Sequence, residues 1–224
     1  MIELAVLDIA GTTVEEHGAV YIALEEAVRA AGGRPTPADI RRWMGADKRE
    51  AITALLTGEP GGAPGRSTVD AVFADFRDRL DAAYADRPPA PLPGVPEALA
   101  TLRAAGVKVA LTTGFDRGVT DALLARIGWG DGVLDAVVCV DDVAAGRPAP
   151  YMIFRAMEAT GVRDVSRVLT AGDTVRDLEA GSNAGAGIVV GVLTGGLDAT
   201  ALGAARHTHL LPGVADIPGL LSLA

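Results

Sequence analysis

Leu4-Ala-Val-Leu-Asp-Ile-Ala-Gly-Thr-Thr13 decides how this chain is read. The apolar run Leu4 to Leu7 is short enough for a buried strand, and it delivers one carboxylate, Asp8, at its carboxyl end. A strand-terminal Asp followed by Gly-Thr-Thr stands where an open α/β sheet holds a ligand.

Working outward, residues 19–31 carry Val20, Ala23, Leu24, Ala27 and Val28 at helical spacing, and Gly32-Gly33 end that helix. Pro37 opens a second helix reaching Trp43-Met44, and a third runs from Asp47 to Leu56. Glu59 to Gly65 is a loop with nothing to pack. Ser67 starts a longer helix whose Phe73, Phe76, Leu80 and Tyr84 form one apolar stripe. Pro88-Pro-Ala-Pro-Leu-Pro-Gly94 is then expected to be a stiff linker. From Val95 the pattern alternates helix and strand, with strands at 107–112, 136–140, 167–171, 188–192 and near 208–211. Such alternation implies an α/β fold, a parallel sheet with helices on both faces. The domains expected are an α/β core of residues 1–14 and 92–224, and a helical cap of residues 15–91 inserted after the first strand, over the strands' carboxyl ends. No internal repeat of useful period is present.

Composition narrows the partners. The 224 residues are 49% hydrophobic but only 4% aromatic, so the core should be rich in Ala, Val, Leu and Gly. A net charge of −9 argues against nucleic acid, yet leaves room for one small phosphorylated substrate in a locally positive pocket. No apolar run is long enough to span a bilayer and Met1-Ile-Glu3 is no signal peptide, so no membrane partner and a cytoplasmic location are expected. Cys139, the sole cysteine, lies in apolar Ala136-Val-Val-Cys-Val140 and is read as core.

Asp8-Ile9-Ala10-Gly11-Thr12 resembles the first motif, Asp-x-Asp-x-Thr/Val, of the haloacid dehalogenase superfamily. With Ala10 in place of the second Asp it is similar to the phosphonatase-like branch. Three further segments fit, each placed at a strand's carboxyl end. In Ala110-Leu-Thr-Thr-Gly114, a hydroxyl and the Gly114 amide can hold a phosphoryl oxygen, and Thr113 is preferred to Thr112 because it directly precedes the glycine. In Gly146-Arg147-Pro148, the guanidinium fork can bridge a carboxylate and a phosphoryl group. In Ala171-Gly-Asp-Thr-Val-Arg-Asp177, Asp173 and Asp177 project toward one site. Asp8, Asp173 and Asp177 would repel one another, which makes a hard divalent cation a natural occupant, and magnesium accepts a few carboxylates with waters and phosphoryl oxygens. The resemblance implies a Rossmann-like core and Mg2+ held by Asp8, the backbone carbonyl of Ala10 and Asp173, with Asp177 a ligand or bound to a metal water. In that chemistry Asp8 attacks phosphorus and forms an aspartyl phosphate while Arg147 stabilises charge on the transferring group.

Ala10 cannot protonate a departing alkoxide, so the leaving group must absorb its charge another way. Met44-Gly-Ala-Asp-Lys48 resembles the Met-Gly-x-x-Lys of the same branch, whose cap lysine forms a Schiff base with the substrate carbonyl. An iminium one carbon from phosphorus is an electron sink, so the departing group is an enamine. Lys48 must be neutral part of the time, which Arg41, Arg42 and Arg49 favour and Asp47 opposes. The branch usually carries His and Tyr where this chain has Ala51 and Phe115, which suggests one changed subsite. The function expected is Mg-dependent hydrolysis of the C–P bond of a 2-oxoalkylphosphonate. A phosphate-monoester phosphatase of the phosphoglycolate phosphatase kind is the alternative, and a non-catalytic binding protein a third reading. A homodimer is implied by the resemblance alone. His17 is assigned to a hinge or the surface, and His207 with His209 to one face of an edge strand.

Overall fold

The computed structural model describes residues 1–57, 62–130 and 132–223. The chain divides into two compact units, Met1–Glu15 with Ala90–Ala224, and Glu16–Pro89.

The discontinuous unit is built on a six-stranded parallel sheet. In chain order it contains β1 (Leu4–Asp8), β2 (Val14–Glu15), β3 (Ala90–Pro91), α5 (Val95–Ala104), β4 (Lys108–Thr113), α6 (Arg117–Arg126), β5 (Ala136–Cys139), α7 (Tyr151–Thr160), β6 (Val168–Gly172), α8 (Val175–Ala184), β7 (Ile188–Val192), α9 (Ala199–Gly203), β8 (His209–Leu211) and α10 (Ile217–Leu220); α1 to α4 belong to the other unit. The spatial order β5-β4-β1-β6-β7-β8 puts β1 in the middle. Leu4 to Asp8 pair with Lys108 to Thr112 on one side, and Leu4 to Leu7 with Val168 to Ala171 on the other. All five β1 residues are buried. A parallel strand covered on both faces needs this continuous apolar run. Leu4, Val6, Ala110, Val138 and Val168 pack with Met152, Ile153 and Ala156 of α7 and Ala180 and Ala184 of α8. The alternate residues Ala5, Leu7, Val109, Leu111 and Leu169 are equally buried. The chain leaves β1 toward β4 and β5 and returns on its other side to β6, β7 and β8, so a crevice opens at the carboxyl end of β1.

The helical unit contains α1 (Ala19–Ala30), α2 (Pro37–Arg42), α3 (Lys48–Leu56) and α4 (Arg66–Asp86). Its core sets Val20, Ala23, Leu24, Ala27 and Val28 of α1 among the buried Val69, Val72, Phe73, Phe76 and Leu80 of α4. The Glu16 carboxylate accepts hydrogen bonds from Gly18 N (3.1 Å) and Val20 N (2.8 Å), satisfying amides at the start of α1. Thr36 and Asp39 form a capping box at α2, and Asp47 caps α3.

Several expectations need correction. The Pro-rich exit is more than a linker: Ala90–Pro91 pairs antiparallel with Val14–Glu15, a ribbon too short to leave a periodic signal. Helix α2 stops at Arg42, before Trp43-Met44. Strand β4 runs one residue further than expected, to Thr113, and β5 ends one residue earlier, at Cys139. Of the loop anticipated at 59–65, residues 59–61 lie outside the described residues, and Gly65 is the N-cap of α4. His17 stands at the junction with φ 60°. His207 precedes β8 instead of lying on it, its Nδ1 2.8 Å from the Ala205 carbonyl. Among the described residues no helix is long and apolar enough to cross a membrane.

Cys139 is buried, and burial pushes its thiol up to about 11 against a hydrogen bond with Thr120 and the charge of Arg117. At pH 8 roughly one molecule in a thousand would then hold the thiolate, the reactive form. An aromatic disulfide reagent should label the native protein negligibly over an hour and one thiol per chain in urea. Rapid stoichiometric labelling without denaturant would contradict this packing.

Candidate active site

Asp8 ends β1, in register with Thr112 of β4. The loop behind it is tightly wound: the Ile9 carbonyl accepts from the amides of Thr13 and Val14, both at 2.9 Å, and the Thr13 hydroxyl donates to the Asp8 carbonyl at 2.9 Å. Ala10 lies in this turn, bridged to Val14. Asp173 follows directly on β6 and takes a hydrogen bond from the Thr12 hydroxyl at 3.0 Å. Asp177 sits in the first turn of α8.

Arg147 binds this cluster together. Its Nη1 lies 2.7 Å from Asp8 Oδ1 and 2.7 Å from Asp177 Oδ1, and its Nη2 donates to Thr112 Oγ1 at 2.9 Å. It comes from the loop that leaves the carboxyl end of β5, eight residues beyond that strand and just before α7. The Asp8 and Arg147 side chains are 9% and 3% exposed. Burial lifts the Asp8 carboxyl to about 6, with Arg147 opposing and Asp177 adding. Asp173 is raised well above the usual carboxylate range by burial and by the charges of Asp8 and Asp177. Burial works against charge on Arg147, but Asp177 and Asp8 beside it hold the guanidinium protonated.

Asp177 has both oxygens engaged. Oδ2 accepts from the amide of Thr174 (3.0 Å) and from its hydroxyl in a capping box, and Oδ1 faces Arg147. In this structure Asp177 anchors Arg147 and caps α8. The Thr113 hydroxyl accepts from Phe115 N at 3.1 Å, so it already orders the turn that contains Gly114. In the helical unit, Lys48 opens α3, is 3% exposed, donates from Nζ to the Ala46 carbonyl at 2.8 Å and stands 5.9 Å over the ring of Tyr21. Ala51 is fully buried on the same helix. Arg49, expected to favour a neutral lysine, is paired with Asp70 and lies 4.1 Å over Phe73.

The donor set suits a hard cation. Fully ionised, Asp8, Asp173 and Asp177 against Arg147 would leave two uncompensated negative charges in a buried cluster, and a bound cation would favour that ionised form. Among the described residues no three His, Cys, Asp or Glu side chains are arranged to hold an ion by themselves. Magnesium does not require that arrangement, since it is commonly bound through one or two carboxylates with waters and substrate oxygens. Asp8, the Ala10 carbonyl and Asp173 are the residues that would hold it.

Sequence reasoning missed three contributors. Thr12 orients Asp173, and Thr112 orients Arg147. The third is the Thr194-Gly195 turn after β7: a Cβ on Gly195 would come within 1.8 Å of Asp173 Oδ2, and the Thr194 hydroxyl donates to the Gly11 carbonyl at 2.7 Å. A Thr-Gly-Gly run just beyond a strand was the available signal.

A family model described as haloacid dehalogenase-like hydrolase matches residues 2–185. The phosphonoacetaldehyde hydrolase of Bacillus cereus (strain AH820) is 33% identical over 207 residues, covering 87% of this chain and 76% of that protein. Among solved structures, a hydrolase from Pseudomonas syringae superposes with a TM-score of 0.86 at 22% identity, over 98% of both chains. A phosphonoacetaldehyde hydrolase-like protein from Oleispira antarctica gives 0.84 at 24% identity, over 99% of this chain and 91% of that one. At these identities the two structures testify to the fold.

Because the folded state binds the Asp8 proton more tightly than the unfolded chain does, its stabilising effect is lost as pH rises from about 4 through about 6. An amide in place of this carboxyl would mimic the protonated form at every pH. In chelator, urea unfolding should therefore show the unmodified protein losing stability relative to Asp8→Asn between pH 4 and pH 7, by about 3 kcal/mol in all. A difference that stays level across that range would show that Asp8 carries no such burden.

Proposed function

The chain belongs to the haloacid dehalogenase-like hydrolase family, and on that premise we propose that it hydrolyses the carbon–phosphorus bond of a small 2-oxoalkylphosphonate. One observation carries the reading. The position two beyond the strand-end Asp8 holds Ala10, and a methyl group cannot protonate a leaving oxygen. A phosphonate whose carbonyl is held as an iminium leaves as an enamine and needs no such proton. Lys48, buried in the helical unit, supplies the amine for that imine. The 33% identity to a phosphonoacetaldehyde hydrolase supports the same substrate class.

Each residue then has a task. Lys48 condenses with the substrate carbonyl, releasing water. Asp8 attacks phosphorus as the carbon–phosphorus electrons move into the iminium, giving an aspartyl phosphate and an enamine on Lys48. Arg147, held beside Asp8, balances charge on the phosphoryl oxygens, and Thr113 with the Gly114 amide offers them hydrogen bonds. Water then cleaves the aspartyl phosphate, and the enamine takes up a proton and hydrolyses to free Lys48. Magnesium, when bound by Asp8, the Ala10 carbonyl and Asp173, supplies charge neutralisation for the transferring group.

Borohydride added together with a 2-oxoalkylphosphonate should inactivate irreversibly and leave a reduced adduct on the Lys48 peptide by mass mapping. Borohydride alone should do neither. Lys48→Arg keeps the charge but cannot form an imine, and should lose phosphonate cleavage by at least a hundredfold while keeping its melting temperature. Normal cleavage by Lys48→Arg would exclude the imine.

Ala10→Asp provides a second test, because general-acid assistance is typically worth about 100- to 10,000-fold. Phosphate release should rise toward alkyl phosphates and stay level or fall toward phosphonates. Efficient alkyl-phosphate hydrolysis by the unmodified protein would assign it to the phosphatases instead.

A further inference from the structure

Arg147 is a long side chain, and its usefulness depends on where the guanidinium plane is held. Its backbone is fixed from α8: Arg176 Nη1 donates to the Arg147 carbonyl at 3.1 Å, and Asn183 Nδ2 to the Pro148 carbonyl at 2.8 Å. What remains free is rotation of the guanidinium about its own bonds. Two carboxylates lie 2.7 Å from only one arm of the fork, Nη1, as ion pairs without hydrogen-bond geometry, and such attraction holds the arm in place without fixing its plane. The second arm is caught by one neutral group, the hydroxyl of Thr112, at 2.9 Å. Thr112 is the register partner of Asp8 across the β1–β4 pair, and both are buried, so carboxylate and hydroxyl present adjacent acceptors to adjacent nitrogens.

We infer that Thr112 is a positioning residue that sets the guanidinium plane of Arg147, leaving Thr113 and Gly114 for the phosphoryl group. The hydroxyl adds no charge and touches no reacting atom. It converts a one-point grip into a two-point grip, so that Arg147 need not reorient when charge develops beside Asp8. The inference rests on the role proposed for Arg147, but its first readout does not require turnover.

The test compares Thr112→Val, which keeps the shape and strand preference, with Thr112→Ser, which keeps the hydroxyl. In nitrogen NMR of the full-length protein, hindered rotation should give Arg147 resolved Nη–H signals. Thr112→Val should speed their exchange by about tenfold, and Thr112→Ser should leave it as in the unmodified protein. In phosphate-release assays with the best phosphonate, Thr112→Val should lower kcat by about tenfold with KM changed less than twofold, about the effect of one lost charge-assisted hydrogen bond. Thr112→Ser should restore kcat. Unchanged exchange in Thr112→Val would overturn the positioning role, and so would faster exchange with full kcat. Faster exchange in a protein that releases phosphate from neither phosphonates nor phosphate monoesters would sustain the positioning role and reject the proposed reaction.

Discussion

One buried guanidinium holds two strand ends and a helix start in a single arrangement. Arg147 faces Asp8 and Thr112 on adjacent strands and Asp177 at the first turn of α8. Without it, three carboxylates would stand close together out of water, and each would be driven to take up a proton. With it, the ionised cluster still has carboxylate in excess of guanidinium, which suits a site that receives a cation. The positive group that makes the cluster tolerable is also the one suited to meet the substrate's negative oxygens.

The fold supplies this meeting point through topology more than through any loop. Because β1 lies where the chain's path across the sheet reverses, the carboxyl ends of β4, β1 and β6 are neighbours although they are far apart in sequence. Close packing then aims the side chains. A Cβ on Gly172 would fall 2.2 Å from Asp177 Cγ, and one on Gly195 would overlap Asp173. The carboxylates therefore rest directly on backbone, and their positions follow from the sheet.

The sheet was legible because each strand is a short apolar run bounded by turn residues, and Asp8 and Asp173 were legible because they sit where such runs end. Arg147 was found from its Gly-Arg-Pro setting, but its route into the site was not, since the loop that carries it has no period to read. The contact of Thr112 with Arg147 exceeded sequence reasoning for a related reason. Adjacency to Gly114 favours one hydroxyl for phosphate, yet nothing local records that the other lies opposite Asp8 and within reach of an arginine 35 residues on. Gly195 escaped notice because its importance is steric, a missing side chain beside a residue 22 positions earlier. Lys48 illustrates the reverse case. Its motif was visible, whereas its burial and its bond to the Ala46 carbonyl come from how the helical unit packs.

The two-residue ribbon of Val14–Glu15 with Ala90–Pro91 bears on how the chain assembles. The strand carrying Asp8 leaves the ribosome well before its partner β4, which begins a hundred residues later. Pairing over that span is slow, because the entropy of closing the loop precedes any reward from contacts. The helices between residues 16 and 89 pack on one another as a compact unit of their own, and so can assemble before β4 is available. Once Val14 meets Pro91, the effective separation between β1 and β4 shrinks from a hundred residues to about two dozen, worth about 1 kcal/mol of loop entropy at roughly 0.6 kcal/mol per halving. The inserted unit thus works as a bridge in time as well as in sequence, shortening the search by which the first strand finds the middle of its sheet.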